Sequence, residues 1–431
     1  MIDEAKISAG DIRRIQERAW AETIAHVLKH SVFYREHLAQ CGFRPDSPPP
    51  LDALPDIPPV EKTSLSERTD DFVCVPMDEV VEVVTTSGTT GRALIAPMTE
   101  SDLQRLAYDE YLSFRCVGLT ARDTVLLGVT LDRCFIAGLA YSLGLRQLGC
   151  AVVRVGSSAP EMHFDMIDRL KPTAIVSVPS FLRVLADRAG EAGRDLSRAG
   201  ISRAICIGEP LRAPDMTPNA AAENIMKRWG ARVFSTYGNT ELEGSLCECE
   251  AGQGGHLHPE HLIVEALDEA GRPVGAGEVG EITATTLGVQ GMPLIRYRTG
   301  DFAALYTAPC ACGRVTPRIG PIVGRKHQKL KVKGSTIYPS TLQAVLDTCS
   351  GVESYVIMAR SESALSDSIE VLINCPMDVD TTVGRLREAF RGRAKVVPAI
   401  RCAPKAEIEA LQMPAGVRKR RVFVDFRGSA S

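Results

Sequence analysis

Thr85-Thr86-Ser87-Gly88-Thr89-Thr90-Gly91-Arg92 is the stretch on which the reading of this chain turns. It follows Val80–Val84, an alternating apolar run that predicts a strand. Five hydroxyls and two glycines fall within its eight residues, and a cation closes it. Glycine lets backbone N–H groups approach an anion, hydroxyls donate to its oxygens, and the guanidinium adds charge. That combination suits a triphosphate tail. The Walker A pattern, Gly-x-x-x-x-Gly-Lys-Ser/Thr, does not fit over it. In isolation a Ser/Thr/Gly run reads as a polar hairpin turn, so the decision rests on what surrounds it.

At 431 residues the chain exceeds one ordinary core, and two domains of unequal size are expected. Hydrophobic residues at 45% and charged residues at 24% predict a soluble globular protein. A net charge of −3 gives no bulk field to recruit nucleic acid or an anionic membrane, and neither is expected as a partner. Basic residues are scattered apart from Arg418-Lys419-Arg420-Arg421. No apolar stretch reaches the roughly 18 residues of a membrane span. Met1-Ile2-Asp3-Glu4-Ala5 has no basic region leading into an apolar core, so no secretory signal is read. Thirteen cysteines, odd in number and mostly in apolar surroundings, predict buried thiols and a cytoplasmic setting rather than a disulfide framework.

Residues 11–40 carry helical periodicity (Ile12, Ile15, Ala19, Ile24, Val27, Leu28) and run into Ser31-Val32-Phe33-Tyr34-Arg35. A proline-rich link, Pro45–Pro59, separates them from the hydroxyl-rich stretch. Strand-like runs then alternate with amphipathic segments: Thr124–Val129, Ala151–Val155, Ala174–Val178, Ala204–Ile207 and Arg232–Ser235. That alternation predicts an open α/β sheet with crossover helices. From Gly244 to Arg318 short strands and Gly/Pro turns predict a β subdomain, and Arg314–Gly324 reads as a linker. Beyond it the pattern predicts a helix over 340–349, strands near 353–359 and 367–374, a helix over 380–391 and a strand near 396–402.

Two further segments carry chemistry. Tyr237-Gly238-Asn239-Thr240-Glu241 follows a strand, where an aromatic ring can stack on a purine and a Thr/Glu pair offers oxygens to Mg²⁺. Pro293-Leu294-Ile295-Arg296-Tyr297-Arg298-Thr299-Gly300-Asp301 places a carboxylate on a turn, where it can accept from both ribose hydroxyls. Taken singly, the first is equally a core aromatic at a strand end and the second a turn Asp capping amides.

In this order and spacing the three segments resemble the adenylate-forming enzymes, and among them the phenylacetate–CoA ligase family. Ser31–Arg35 is similar to that family's N-terminal helical signature, and Gly208-Glu209-Pro210 to its mid-domain turn. Gly324-Arg325, Gly334 and Tyr338-Pro339-Ser340 resemble its hinge and the entry to its C-terminal domain. The resemblance runs nearly end to end. It implies a large adenylate-forming N-terminal domain over 1–323, built of α/β sheets and a β subdomain, and a small mobile α+β C-terminal domain over 324–431. It also implies two steps: a carboxylic acid attacks the α-phosphate of ATP to give acyl-AMP and pyrophosphate, then a thiol, normally that of CoA, displaces AMP. By motif position Thr86, Ser87, Gly88, Thr89, Thr90, Gly91 and Arg92 would hold the β/γ phosphates. Tyr237 and Gly238 would lie by the adenine, Thr240 and Glu241 would face Mg²⁺, and Asp301 would bind the ribose. Arg325 would contact ribose or phosphate, and Gly208 and Glu209 would line the adenine or carboxylate side.

Two departures from the family pattern stand out. Lys326-His327-Gln328 replaces the acidic residues usual after the hinge Gly-Arg. The catalytic lysine's Gly-Lys-x-x-Arg-Val context appears as Gly416-Val417-Arg418-Lys419-Arg420-Arg421-Val422. Strict alignment puts Arg418 in its slot, and a one-residue shift puts Lys419 there; Lys419 is the choice, with Arg418 open. These changes keep a second acceptor in view, a carrier-protein thiol or an amine, and also a non-catalytic nucleotide-binding role. A homodimer is entertained.

Cys247-Glu248-Cys249, His256, His258, His261 and Cys310-Ala311-Cys312 offer thiolates and imidazoles beside Gly/Pro turns, suited to a tetrahedral S₃N zinc site. Some family members resemble the chain here, which implies Cys249, His256, Cys310 and Cys312 as ligands of a structural Zn²⁺, with Cys247 and His258 as the spares. The acyl pocket in this family follows the Thr124–Val129 strand. Here Phe135, Ile136 and Tyr141 would wall an aromatic ring and Gly138 would leave room for it. Val178–Phe181 would add another wall, and Asp132 and Arg133 read either as polar recognition or as a surface ion pair. An aryl acid is the family default.

Overall fold

The N-terminal periodicity forms two helices that share one residue as stop and start. α1 (Ala9–His30) begins at Ser8, whose hydroxyl accepts from the Asp11 amide while the Asp11 carboxylate accepts from the Ser8 amide. Ser31 ends α1 with its amide on the Val27 carbonyl and opens α2 (Val32–Gln40) with its hydroxyl accepting from Tyr34 N. The computed structural model describes residues 7–86, 94–332, 335–363, 366–376, 378–414 and 420–427. It divides into two compact units, residues 1–321 and 322–431.

The proline-rich stretch is a packed strap, not a link. Leu51, Leu54, Ile57 and Val60 are buried in one apolar cluster with Trp20, Tyr34 and Tyr297. Proline carries no N–H, so the stretch offers few donors to a ladder, and a 3₁₀ turn over Leu51–Asp56 together with side chains satisfies its carbonyls. Trp20 Nε1 donates to Pro49 O at 2.8 Å, and the Arg296 guanidinium donates to the carbonyls of Pro55 and Ile57. Two short helices follow, α3 (Lys62–Glu67) and α4 (Thr69–Phe72). The hairpin arms β1 (Glu82–Thr85) and β2 (Ile95–Met98) pair antiparallel. α5 (Glu100–Cys116) comes next, opened by a reciprocal Thr99/Asp102 cap.

The main sheet takes its strands from β3 (Thr124–Leu127), β4 (Ala151–Arg154), β5 (Ala174–Ser177), β6 (Arg203–Ile207) and β7 (Arg232–Asn239), all parallel, with β8 (Gly244–Cys247) antiparallel at the edge. Their order is β4-β3-β5-β6-β7-β8. The crossovers are α6 (Ile136–Leu148), α7 (Pro160–Leu170), α8 (Pro179–Glu191) and α9 (Ala220–Trp229). All four residues of β5 are buried, as a sheet covered on both faces requires. Strand order reverses at β3, with β4 on one side and β5 on the other. A crevice opens at the carboxyl ends of strands at such a point, and the segment predicted to hold the acyl group leaves β3 there.

The antiparallel sheet expected of the β subdomain is present: β9 (Gly255–His256), β10 (Leu262–Leu267), β11 (Val279–Thr286), β12 (Tyr297–Tyr306) and β13 (Arg318–Ile319), in the order β10-β11-β12-β13-β9. β13 corrects one expectation. Arg318 and Ile319 pair with both β12 and β9, so the supposed linker is still sheet at that point.

The second unit carries β14 (Gly324–Arg325), the hairpin β15 (Leu330–Val332) and β16 (Ser335–Ile337), and a four-stranded sheet of β17 (Ser354–Ser363), β18 (Ser366–Asn374), β19 (Ala399–Cys402) and β20 (Phe423–Asp425) in the order β19-β18-β17-β20. Its helices are α10 (Pro339–Thr348), α11 (Val379–Ala389) and α12 (Lys405–Gln412). A Cβ at Gly324 would be driven into the Tyr338 ring, so these two motif positions need each other's shape. Among the described residues no helix is long and apolar enough to cross a membrane.

The Tyr34 hydroxyl accepts from the buried Ile295 amide at 2.7 Å, tying α2 to the run that leads into β12. Tyr34→Phe strands that amide and should cost about 1–3 kcal/mol of unfolding free energy, read by urea titration with the m-value unchanged. A loss under about 0.5 kcal/mol would mean the amide finds another partner.

Candidate functional site

The aromatic and acidic motifs converge where β7, β8 and β12 meet. A Cβ at Gly238 would lie 2.9 Å from the Gly244 carbonyl, so the close approach of β7 to β8 needs glycine. Asn239 Oδ1 accepts from Leu242 N at 3.0 Å and caps the short turn Thr240–Leu242, in which Thr240 and Glu241 are buried. Tyr237 and Asp301 stand 64 residues apart in sequence, and the Tyr237 hydroxyl donates to Asp301 Oδ2 at 3.1 Å. Glu241 Oε1 accepts from the Tyr297 hydroxyl and from Lys62 Nζ, each at 3.2 Å. Burial, and then the Glu241 charge, push the Tyr297 phenol far up, so it stays protonated and donates to Glu241. Lys62 is a residue the sequence reading missed; nothing around it on α3 marks it. Two nearby arginines that invite a phosphate assignment are engaged already. Arg296 is paired with Glu265, and Arg298 with Glu281 and Glu61.

The base of the hydroxyl-rich loop is clamped. Thr86 N donates to Leu94 O at 3.1 Å, and Leu94 N donates to Thr86 Oγ1 at 3.0 Å. Thr85 N reaches the Cys134 carbonyl at 2.9 Å, which sets the predicted acyl segment against that base. Arg133 and Cys134 are both left-handed, at φ 59° and 54°, strain that persists only where surroundings enforce it. Ser87, Gly88, Thr89, Thr90, Gly91 and Arg92 lie outside the described residues, as do Arg418, Lys419 and Gly334.

Two pocket expectations, at Gly138 and Tyr141, need correction. The space beside Gly138 is taken by the Thr130 carbonyl, so this glycine serves close packing of α6 rather than room for a ring. Tyr141 is buried edge-to-face on Phe114 in the core between α5 and the sheet, leaving its ring no face for a ligand. Glu209 spends its carboxylate on Ser180 at the start of α8, accepting from the amide at 3.0 Å and the hydroxyl at 2.6 Å. Gly208, at φ 72°, makes the turn that points Glu209 there. Phe135 is half-buried against the same cluster as Tyr141, and Phe181 packs on His163. Asp132 and Arg133 form an exposed pair at 3.7 Å, the surface reading. Arg325 is exposed in the second unit.

Cys249, His256, Cys310 and Cys312 come together, with one ligand atom from each within 4.8 Å of the others. A tetrahedral ion with bonds of about 2.3 Å to sulfur and 2.0 Å to nitrogen spaces two sulfurs roughly 3.8 Å apart and a sulfur and nitrogen roughly 3.6 Å apart. Here Cys249 Sγ and Cys310 Sγ are 3.6 Å apart, and Cys312 Sγ and His256 Nε2 3.5 Å. The Thr316 hydroxyl meets His256 Nδ1 at 2.8 Å and fixes the ring with Nε2 inward. Burial holds the His256 imidazole neutral, down to about 3. Burial pushes the Cys249 thiol up to about 12; at Cys312 burial is outweighed by the Arg314 amide and guanidinium, which lower it. The two spares are committed elsewhere. Cys247 accepts from the Thr236 hydroxyl at 3.1 Å, and His258 Nε2 meets Ser113 Oγ at 3.0 Å.

A model of the AMP-binding enzyme family matches residues 16–290. The phenylacetate-coenzyme A ligase of Thermus thermophilus is 32% identical over 367 residues, spanning 83% of this chain and 80% of that protein. The phenylacetate-coenzyme A ligase of Pseudomonas putida is 27% identical over 379 residues, spanning 86% and 83%. Among solved structures, 2-hydroxyisobutyryl-CoA ligase with 2-HIB-AMP in the postadenylation state superposes with a TM-score of 0.84 at 22% identity, covering 99% of this chain and 95% of that one. The same ligase with 2-HIB-AMP and CoA in the thioesterification state gives 0.70 at 24% identity, covering 98% and 91%. At these identities the structural likeness is one of fold.

Glu243, just past the Thr240–Leu242 turn, is buried with Oε2 lacking a partner among the described residues. Burial, then the Asp102 charge, raise its carboxyl to about 8 against the opposing Arg105. A raised acid stabilises the fold fully below its unfolded value and loses that contribution as pH climbs through the folded one. The thermal midpoint should therefore fall between about pH 5 and about pH 9, and Glu243→Gln should flatten that fall. A slope unchanged in the variant would move its origin to another group.

Proposed function

Because the chain belongs to the AMP-binding enzyme family, in its phenylacetate–CoA ligase-like branch, we infer that it activates a carboxylic acid with ATP to an acyl-AMP and transfers the acyl group to CoA. Pyrophosphate and AMP leave in turn. The observation that carries the assignment onto this chain's own residues is the contact between the Tyr237 hydroxyl and the Asp301 carboxylate. It sets a stacking ring beside a ribose-binding carboxylate, with Glu241 on the adjoining turn.

In this reading Asp301 accepts from the ribose hydroxyls and Tyr237 stacks on the adenine. Thr86 and the loop through Arg92 hold the β/γ phosphates by amides, hydroxyls and charge. Thr240 and Glu241 would hold Mg²⁺, which when bound neutralises the phosphate oxygens. Lys62, paired with Glu241, adds a cation on that side. Lys419, with Arg418 as its alternative, would meet the α-phosphate from the mobile C-terminal domain, and Arg325 the ribose or phosphate from the hinge. Adenylation then needs little covalent help from the protein, because alignment and charge neutralisation lower an in-line barrier. The acid is proposed as aryl, held near Phe135 at the β3 switch point. Structural Zn²⁺ is proposed for Cys249, His256, Cys310 and Cys312, whose spacing and soft donor set fit it. Bound there, it would pin β9 to the turn before β13.

ATP–pyrophosphate exchange across benzoic, phenylacetic, hydroxy- and aminobenzoic and short aliphatic acids tests the function. Exchange with an aryl acid is expected, and CoA is expected to outcompete a holo-carrier protein or an amine as acceptor. Asp301→Ala should raise the KM for ATP about ten- to a hundredfold, the worth of hydrogen bonds to a charged group; a wild-type KM would remove Asp301 from the ribose. Exchange with no acid, in protein that binds ATP, would leave a nucleotide-binding protein without the ligase step. Elemental analysis of chelator-free protein should find about one zinc per chain, and its removal should lower the thermal midpoint. Metal-free protein of undiminished stability would end the zinc assignment.

A further inference from the structure

We propose that Arg105, Asp109 and Ser113, spaced four apart along α5, are positioning residues for the Thr240–Glu241 turn. Residues at that spacing share one helix face, and here the face is buried although it is polar. Arg105 Nη1 donates to the Glu243 carbonyl at 2.7 Å. Asp109 Oδ2 accepts from the Ser245 amide at 2.7 Å, and the Ser113 hydroxyl donates to the Ser245 carbonyl at 2.9 Å. Between these two residues a Cβ at Gly244 would come within 2.8 Å of Asp109 Oδ2, so helix and chain touch without a gap. One helix therefore holds the backbone on both sides of Gly244, starting two residues beyond Glu241.

The strain at Glu243 shows what the grip is for. Glu243 closes the turn in the left-handed region, at φ 48°. The closing position of a helical turn takes that conformation most easily with glycine, and a glutamate there gains from support by its surroundings. Arg105 gives that support through the carbonyl of the strained residue, and fastens the same guanidinium to Leu287 O at 2.7 Å and His261 O at 2.8 Å. If that clamp loosens, Glu243 relaxes and the turn re-aims Glu241, while the fold around it survives. His261 also bonds Asp109 at 3.0 Å, so α5 carries the link on to the segment that bears His256.

The proposal rests on the assignment of Glu241 to the Mg²⁺ side of the nucleotide, and the experiment separates the two. Pyrophosphate exchange of the full chain is measured against Mg²⁺ at saturating acid, and against the acid at saturating Mg²⁺, for wild type, Glu241→Gln, Arg105→Lys, Ser113→Ala and the exposed-face control Gln104→Ala, with thermal midpoints alongside. Arg105→Lys is expected to lower kcat about ten- to a hundredfold and to raise the half-saturating Mg²⁺, with the KM of the acid within about twofold. Ser113→Ala should move both in the same direction by a few-fold, and it carries the test if Arg105→Lys does not fold. Gln104→Ala should match wild type. Lowered midpoints with wild-type kcat and Mg²⁺ dependence in both α5 variants would overturn the proposal and leave α5 a girder only. A wild-type Mg²⁺ dependence in Glu241→Gln would instead overturn the assignment beneath it.

Discussion

Arg296 is a charge sealed from water, and the arrangement around Glu241, Tyr297, Tyr237 and Asp301 follows from how it is neutralised. Its guanidinium meets both oxygens of Glu265 at 2.9 Å and donates to the carbonyls of Pro55, Ile57 and Gly271. A buried guanidinium stripped of such partners is strongly unfavourable, so the strap has one place to lie. That placement delivers Lys62, the first residue of α3, to Glu241, and seats Val60 beside Tyr297. Tyr297 then meets Glu241, and four residues further along the same strand Asp301 meets Tyr237. A single ion pair outside the site thus sets the register of four residues inside it.

Strain points the same way. Among the described residues eight non-glycine residues are left-handed. Lys171 and Lys395 end helical segments, a common resting place for that conformation. Glu243 likewise closes the short Thr240–Leu242 turn, whereas Arg133, Cys134 and Arg296 end no helix. Arg133 and Cys134 lie against the Thr85 amide and Arg296 opens the run into Asp301, where hydrogen bonds from elsewhere hold the strain.

The parallel strands were legible because each is a short β-branched run between helical periods, and a sheet buried on both faces must be written that way. Tyr237, Thr240, Glu241 and Asp301 were singled out by the order and spacing of three motifs that are each weak alone, and the structure brings Tyr237 to Asp301. The four metal-site donors were chosen by resemblance, and the structure brings the same four together while giving Cys247 and His258 other partners. Gly138 shows a limit: sequence says that something comes close, not whether it is a ligand or the Thr130 carbonyl. Lys62 was invisible because its partner lies 179 residues away. Arg105, Asp109 and Ser113 were hidden by pattern itself, since polar residues on a helix read as its solvent face. Their burial is a tertiary fact.

The bond between Tyr34 and Ile295 spans 261 residues, and the apolar cluster around it joins Trp20, Ile24 and Leu28 to Leu287, Leu294 and Tyr297. The strap and Phe72 cover part of the α1–α2 face early, but the part that meets Leu287, Leu294 and Tyr297 has no cover until the far end of the first unit has been synthesised. At about 5–20 residues per second that is a wait of roughly 15–50 s, during which β3 to β7 can already close through their local crossovers. The helices made first thus complete their packing only once the run into β12 exists. A chain ended before Leu287 would leave that remaining part of the face exposed.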